Sequence, residues 1–314
     1  MTTVRAVSLL PSATEFIHAL GLGDQQVGRS AECDHPIEAR RLPVVMRSRW
    51  DFSRVPSAEI DQKVRESRGR GEDLYVVEEE VLTRLHPDLI FTQDLCTVCS
   101  VTPSSLQAVL ARVPFRPRLV SLSPTRLDQV VEQAVTIAEA LERGDRGASL
   151  RASLQRRLEA CRPGSPGKAR TRVLVLEWLD PPIVAGLWVP EMVRMAGGSP
   201  LLSAPGVPGA AHSWEEIRGT SADLILVSPC GFPLERTLRE ANGPATPLGD
   251  LHPPRGVWAV DEAFFSRPGP RLVEGTELLS DLLHGTGRPR RSFESRAVPL
   301  FRRGVPLLGR PVRR

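Results

Sequence analysis

Residues 4–23 read VRAVSLLPSATEFIHALGLG, and this stretch decides the class of fold. It opens with a short apolar run of the kind found in buried strands, and Pro11 ends that run. Ser12 and Glu15 have the spacing of a capping box, which predicts a helix with Ser12 at its N-cap that continues to Leu20. A strand, a turn and a helix in this order are typical of the first unit of an α/β fold.

Strands and helices alternate along most of the chain. Apolar runs predict strands at residues 26–30, 89–92, 119–122, 172–176 and 224–227, and helical spacing predicts helices at 104–112, 127–141, 145–161 and 190–196. The stretch from His86 to Cys96 matches the stretch from Ser221 to Cys230, since both start a strand with Asp-Leu-Ile and place a cysteine just past its end. We therefore predict two similar α/β lobes.

These patterns divide the chain into four parts. They are an N-terminal lobe (1–124), connecting helices (125–166), a C-terminal lobe (167–285) and a basic tail (286–314). The tail holds nine Arg and one Glu and therefore carries a charge of +8, although the net charge of the whole chain is only +4. The tail also holds four Pro. We expect a solvated, partly disordered end whose removal leaves the fold intact. Docking of this tail on nucleic acid, a membrane surface or a protein partner is the alternative.

Bulk composition restricts the class of protein. The chain has 314 residues, 41% hydrophobic and 25% charged, which is ordinary for a soluble globular protein of two domains. No segment approaches the roughly 20 apolar residues of a membrane span. The body of the protein does not have the pattern expected for nucleic-acid binding, because its Phe and Trp residues are not interleaved with basic ones. The N-terminus lacks the pattern of a secretory signal, so we expect a cytoplasmic protein.

Several motifs, in matching order between about residue 4 and about residue 284, resemble the class III substrate-binding proteins, in particular the cobalamin-binding proteins of ABC importers. The motifs are Leu9–Glu15, His86–Ile90, Val189–Met192 with Ala196–Gly198, and Val260–Arg267 with Pro270 and Arg271. The resemblance implies two Rossmann-like lobes joined by a single long helix, here residues 145–161. It also implies a ligand in the cleft between the lobes and little movement of one lobe against the other.

The resemblance and the aromatic side chains together indicate candidate ligand contacts. They are Pro11, Ser12, Trp50, Trp178, Ser213, Trp214, Asp261, Phe264 and Phe265. Aromatic faces suit a flat ligand, although each of these rings is also a plausible core residue. Asp261 matches a cleft loop and would bond a ligand amide, or else cap a turn. The implied ligand is a corrinoid (cobalamin-like) or another metal-containing small molecule.

Two features depart from the importer proteins. The segment 44–85 is longer than expected, and cysteines follow several predicted strands: Cys33, Cys96, Cys99 and Cys230. The carboxyl ends of strands meet at the cleft of an α/β protein, whereas Cys161 lies at a helix end away from it. Thiolates there could hold zinc or an iron–sulfur cluster. A redox-active dithiol and buried, incidental thiols are the alternatives.

A cysteine-ligated metal would make the protein a metalloenzyme or a redox sensor, which is the alternative function. The sequence contains no Walker loop, no Gly-x-Ser-x-Gly motif and no dinucleotide fingerprint, which disfavours a hydrolase or a dehydrogenase. Whether the protein catalyses any reaction is left open by the sequence. The leading prediction is a ligand-binding protein.

Overall fold

The computed structural model describes residues 3–93, 102–163, 170–243, 246–284, 288–302 and 305–306. They form two α/β lobes, each built on its own sheet, and this confirms the predicted class of fold. The strands are β1 (Ala6–Ser8), β2 (Gln26–Ser30), β3 (Val44–Ser48), β4 (Tyr75–Val77), β5 (Leu89–Thr92), β6 (Arg118–Ser121), β7 (Arg172–Leu179), β8 (Pro182–Val184), β9 (Ser199–Pro200), β10 (Ala210–Ala211), β11 (Leu224–Val227), β12 (Val257–Val260), β13 (Ala297–Pro299), β14 (Phe301–Arg302) and β15 (Val305–Pro306).

The helices connect these strands and cover both faces of each sheet, as parallel strands require. They are α1 (Pro11–Ala19), α2 (Ser57–Gly69), α3 (Glu79–Leu85), α4 (Pro103–Leu110), α5 (Leu127–Ala140), α6 (Gly144–Ala160), α7 (Val189–Met195), α8 (Trp214–Gly219), α9 (Leu234–Ala241) and α10 (Arg271–Leu283). Within the described ranges, none of these helices is both long and apolar enough to cross a membrane.

The N-terminal sheet has the strand order β4-β3-β2-β1-β5-β6, and only β4 runs antiparallel to its neighbour. The C-terminal sheet has the order β10-β8-β7-β11-β12-β13, with β9 beside β7. Its centre, β7, β11 and β12, is parallel. Both β5 and β11 are buried along their whole length, which explains why their sequences are almost entirely apolar.

One interaction occurs in both lobes, in agreement with the predicted similarity between them. Asp88, just before β5, accepts a hydrogen bond at 2.9 Å from the backbone N–H of Arg5. Asp223, just before β11, accepts one at 2.7 Å from the backbone N–H of Arg172. Each aspartate thus fixes the start of a central strand against the first strand of its lobe.

Helix α1 begins two residues earlier than predicted. Leu10 is the N-cap residue, Pro11 is the first helical residue, and the side chain of Ser12 makes no capping bond. Proline is favoured at this position because its φ angle is already helical and the helix does not need its missing N–H. The predicted capping box is therefore wrong, and Glu15 is free for another role.

Helix α6 is the long helix that crosses from one lobe to the other. Near its start, Arg146 donates a hydrogen bond at 2.8 Å to the carbonyl of Gly21 in the N-terminal lobe. Near its end, Arg157 pairs with Glu277 of α10 in the C-terminal lobe at 2.8 Å. Helix α5 packs antiparallel against α6, so closely that a Cβ on Gly147 would lie 2.7 Å from that of Ala138.

The buried core continues from one lobe into the other. Phe16 of α1, Ile137 of α5 and Leu279 of α10 belong to one cluster of buried apolar side chains. Since close-packed interiors resist deformation, this continuity supports the expectation that the lobes move little against each other. That expectation stays a prediction, and solution scattering with and without ligand would test it.

Part of the basic tail belongs to the fold. Strand β13 pairs antiparallel with β12 and forms an edge of the C-terminal sheet. Phe293 is 5% exposed and packs edge-on against Phe264 with a centroid distance of 5.7 Å, and Leu300 is 1% exposed. The expectation of a solvated tail is therefore wrong for residues 290–300.

Candidate functional site: the cleft between the lobes

The carboxyl ends of the parallel strands in the two lobes face each other. Loops that follow β2 and β3 in the N-terminal lobe contact segments that follow β11 and β12 in the C-terminal lobe. In open α/β sheets ligands bind beyond the carboxyl ends of the strands, and clefts between domains are favoured sites. The cleft between the lobes is therefore the candidate site.

One set of contacts across the cleft is ionic. We call Glu15, Asp34, Glu262, Arg267 and Arg271 the ionic clasp; the first two lie in the N-terminal lobe and the others in the C-terminal lobe. The guanidinium of Arg271 donates two hydrogen bonds to the carboxylate of Glu15, at 2.9 and 2.5 Å. Arg267 contacts Asp34 at 2.5 Å across the cleft and Glu262 at 2.5 Å within its own lobe.

The ionic clasp brings the backbones of the two lobes together beside α1. A Cβ on Gly269 would lie 3.0 Å from Oε2 of Glu15 and 3.5 Å from the Cα of Ser12. Ser12 is only 5% exposed, and Pro11 next to it is partly buried. The two candidate ligand contacts in α1 thus lie at the interlobe contact, and Ser12 is covered by the loop before α10.

A second set of contacts across the cleft centres on Arg236 of α9. Its guanidinium donates hydrogen bonds at 2.6 Å to the carbonyl oxygens of Phe52 and Val55, in the loop between β3 and α2. Beside them, the hydroxyl of Ser57 donates to Glu240 at 2.7 Å. The long segment 44–85 reaches across the cleft, because its helix α2 also lies against β7 of the C-terminal lobe.

Aromatic side chains from both lobes lie beside Arg236. Trp178, near the end of β7, contacts Phe232 with a centroid distance of 5.0 Å, and the guanidinium of Arg236 lies 3.6 Å above the same phenyl ring. From the opposite lobe, Trp50 contacts Phe52 at 6.0 Å. Both tryptophans are partly exposed, as a stacking surface for a ligand requires.

Ser213 and Trp214 belong to the start of α8. Ser213 is its N-cap: its hydroxyl accepts a hydrogen bond from the N–H of Glu216, whose carboxylate accepts one from the backbone N–H of Ser213. This reciprocal capping box occupies the hydroxyl. Trp214 is partly buried against the core of the C-terminal lobe. As contacts to a ligand, both residues stay predictions.

Three candidate ligand contacts follow β12, and each of them has a structural role. Asp261 accepts a hydrogen bond from the N–H of Ala263 and forms an ion pair at 2.7 Å with Arg296 of the tail. Phe264 and Phe265 are each 2% exposed and pack in the core. The turn-capping interpretation of Asp261 and the core interpretation of both rings fit these observations.

Sequence reasoning did not identify Arg236, Arg267, Arg271 or Glu15 as functional. Glu15, Arg267 and Arg271 all lie inside the motifs that carry the resemblance, so those motifs contained the ionic clasp without a role for it. Arg236 has no such signal, because α9 holds two arginines and two glutamates and nothing in its sequence singles out one of them. Its inward orientation follows only from the packing of the two lobes.

The cysteine hypothesis depends on residues with different surroundings. Cys33 is fully buried, its thiol donates to the carbonyl of Ser8, and burial raises its pKa to about 11. Cys230 is exposed, while Cys96 and Cys99 lie outside the described residues. In the parts of the chain that the structure describes, no group of three or more His, Cys, Asp or Glu side chains is arranged to hold a metal. The shared metal site stays a prediction, and for Cys33 the surroundings favour a buried thiol.

We expect alkylating reagents to separate these thiols. The nucleophile is the thiolate, so burial and a raised pKa protect Cys33, and Cys161, whose pKa burial also raises to about 11. Cys230 is exposed and should react in the folded protein. Mass spectrometry after brief treatment with iodoacetamide would show the order of labelling, and guanidinium-unfolded protein is the control. Early labelling of Cys33 would mean that its loop opens readily.

The buried carboxyl of Glu262 should make the stability of the protein depend on pH. Burial raises the pKa of its carboxyl from 4.5 to about 7, although Arg267 acts in the opposite direction. The folded state therefore holds the Glu262 proton more tightly than the unfolded state does. The resulting stability is fully present below about pH 4.5 and is lost as the pH rises through about 7.

We expect the free energy of unfolding of the wild type to fall between about pH 5 and pH 8 by more than that of Glu262→Gln. Urea unfolding at several pH values measures this, and the variant removes the contribution of Glu262 while leaving all other titrating groups in place. Parallel pH profiles for the two proteins would contradict the raised pKa.

The family model described as periplasmic binding protein matches residues 7–244 of the chain. The curated vitamin B12-binding protein of Vibrio vulnificus (strain CMCP6) is 25% identical over 280 residues, which cover 87% of each chain. Among solved structures, the periplasmic heme-binding protein of Roseiflexus sp. RS-1 has a TM-score of 0.62 at 24% identity, covering 90% of this chain and 97% of its own. The periplasmic vitamin B12 binding protein of Vibrio cholerae has a TM-score of 0.59 at 21% identity, covering 88% and 95%.

Proposed function

This chain belongs to the periplasmic binding protein family, and we propose that it binds a corrinoid or another flat, metal-containing tetrapyrrole in the cleft between its lobes. The observation that carries the proposal is the pair of partly exposed tryptophans, Trp50 and Trp178, contributed by opposite lobes at the carboxyl ends of their strands. Relatives named for vitamin B12 or heme binding support the class of ligand.

Two aromatic faces suit such a ligand for a physical reason. A macrocycle presents two broad apolar faces and a polar edge, so it is best held between rings that bury the faces. Trp178 contacts Phe232 and Trp50 contacts Phe52, so each indole has an aromatic neighbour on its own lobe. A stacking surface that is ordered in advance loses less conformational entropy when the ligand binds.

We expect Trp178→Ala and Trp50→Ala each to weaken binding of cyanocobalamin or haemin by at least about tenfold, because tryptophans at the centre of a binding surface contribute about 2 kcal/mol or more. Quenching of tryptophan fluorescence and the visible spectrum of the ligand measure the dissociation constant. Trp258→Phe is the matched control, since Trp258 lies in β12 and bonds Arg255 away from the cleft. If neither ligand binds the wild type, the proposed function is wrong.

We also propose that the protein acts in the cytoplasm. Cys33, Cys161 and Cys230 are free thiols, and free thiols persist in reducing compartments. Fractionation of cells that express the untagged protein, with compartment markers, is the test. Recovery in the periplasmic or secreted fraction would overturn this assignment without affecting the proposed ligand.

A further inference from the structure

The loop after β3 and helix α2 form an arm of the N-terminal lobe that reaches over to the C-terminal lobe; we call residues 51–69 the arm. Its loop accepts two hydrogen bonds at 2.6 Å from the guanidinium of Arg236. Ser57, the first residue of α2, donates a third at 2.7 Å to Glu240. Arg236 and Glu240 also pair with each other on α9, at 3.9 Å. We call Ser57, Arg236 and Glu240 the latch.

The arm is attached to the protein mainly by polar contacts. Of the 13 residues of α2, only Ser57, Ile60 and Ser67 are buried. In the parts of the chain that the structure describes, none of the three clusters of buried apolar side chains includes a residue of the arm. Segments with few buried apolar contacts are the ones that open locally while the rest of a protein stays folded. The arm can therefore leave the C-terminal lobe without disrupting the core of either lobe.

The ionic clasp has the opposite surroundings. Glu15 lies next to Phe16 on α1, and Arg271 lies next to Leu272 on α10; Phe16 and Leu272 both belong to the apolar cluster that continues from one lobe into the other. Separating the lobes at the clasp would break a buried ion pair and open this shared core. Since we expect the lobes to move little, a large ligand can enter the cleft only where a smaller element moves, and the arm is such an element.

The arm also lies over part of the aromatic surface of the cleft. The ammonium of Lys63, on α2, is 5.1 Å from the ring centroid of Trp50. On the opposite lobe, the guanidinium of Arg236 holds the arm and lies 3.6 Å above Phe232, the ring that contacts Trp178. Release of the arm would remove Lys63 from the face of Trp50 and open the side of the cleft next to Trp178.

We infer that the arm is a lid over the cleft, which the latch holds closed and which opens while both lobes stay folded. Opening breaks the three hydrogen bonds of the latch, and the ligand then enters or leaves past Trp50 and Trp178. Each of these bonds involves a charged group and is therefore stronger than a bond between neutral groups. The opening itself does not depend on which ligand binds, so the inference goes beyond the proposed function.

The test labels a thiol at the latch. Ser57 is 3% exposed, so a closed lid should shield the thiol of Ser57→Cys, and its alkylation by iodoacetamide measures how often the lid opens. Mass spectrometry of the peptides distinguishes this thiol from the native ones. We expect it to react much faster than Cys33, which is 0% exposed in the core of the N-terminal lobe and reports wider unfolding.

Loosening the latch should increase this labelling selectively. Adding Arg236→Met to Ser57→Cys should accelerate alkylation at position 57 by about tenfold to a hundredfold, which is the range for loss of one hydrogen bond to a charged group. The rate at Cys33 should not change. Glu240→Gln, a milder change in the latch, should act in the same direction. Arg239→Met, at an exposed arginine of α9, is the matched control and should change neither rate.

A second readout follows the binding of haemin or cyanocobalamin by stopped-flow absorbance. Because the lid opens both for entry and for release, Ser57→Ala should raise the association and dissociation rate constants by a similar factor. The dissociation constant, which is their ratio, should then change far less than either rate constant.

Two results of the labelling would overturn the lid: a thiol of Ser57→Cys that reacts no faster than Cys33, or a rate that neither Arg236→Met nor Glu240→Gln increases. Rate constants for binding that Ser57→Ala leaves unchanged would overturn the role of the arm in ligand entry. Binding of neither haemin nor cyanocobalamin would overturn the proposed function, and the labelling would still decide whether the lid opens.

Discussion

Removing residues 290–314 is expected to destabilise the protein severely, because it deletes an edge strand and two buried side chains. Truncating a buried Phe costs about 3–5 kcal/mol and a buried Leu about 2–5 kcal/mol, so loss of Phe293 and Leu300 alone costs at least about 5 kcal/mol. At about 2–4 °C for each kcal/mol, the melting temperature should fall by at least about 10 °C. Thermal unfolding followed by circular dichroism measures the change.

Two point variants distinguish the packing of Phe293 from the other effects of removing the tail. Phe293→Ala should lower the free energy of unfolding by about 3–5 kcal/mol, because the ring packs against Phe264 in the core. Arg291→Ala, two residues earlier and exposed, should change it by no more than about 0.5 kcal/mol. A truncated protein that melts within about 2 °C of the wild type would show that β13 is dispensable.

The tail shows how composition can mislead a sequence-based prediction. Its arginines and prolines are typical of a solvated end, yet Pro299 pairs with Trp258 in the sheet. Proline is tolerated there because an edge strand has one side on which no hydrogen bond is needed. The buried apolar residues Phe293, Ala297 and Leu300 are four and three positions apart, a spacing that does not indicate the strand at residues 297–299.

The central strands could be predicted because local sequence is sufficient for them. The predicted boundaries of β5 and β11 agree with the structure to the residue, since a strand buried on both faces is mostly apolar. The cleft could be located only in outline, from the rule that loops at carboxyl ends converge. The side chains that meet across it depend on contacts between residues far apart in sequence, as with Arg236 and Phe52, which are 184 positions apart.

The turn after β12 explains why Phe264 and Phe265 are buried. They lie in a motif that reaches the cleft, and two adjacent aromatic residues suggest a ligand surface. The backbone after β12 turns immediately, under the cap formed by Asp261, and directs both rings into the core beneath α10. The same turn brings Arg267 and Arg271 to the cleft, so the motif contributes charge to the site instead of aromatic surface.

Neutralising one partner of the pair between Glu15 and Arg271 should be the most damaging single change at the cleft. Their side chains are 1% and 8% exposed, so Glu15→Gln leaves Arg271 buried without its carboxylate partner, and Arg271→Met leaves Glu15 buried with Arg267 at 3.8 Å. Loss of one partner of a buried pair costs about 3–5 kcal/mol. We therefore expect Glu15→Gln and Arg271→Met each to lower the free energy of unfolding by about that amount in urea titrations.

The double variant shows whether the ion pair itself accounts for the loss of stability. With both charges removed, no unpaired ion remains, so Glu15→Gln with Arg271→Met should be destabilised by less than the sum of the two single changes. Arg151→Met is the matched control, because its pair with Glu132 is exposed on the surface, where such pairs contribute about 0–1 kcal/mol. Strict additivity of the two changes would mean that each residue stabilises the fold through other contacts. The ionic clasp would then hold the lobes together through Arg267 and Asp34 alone, since these are its other charges that meet across the cleft at hydrogen-bond distance.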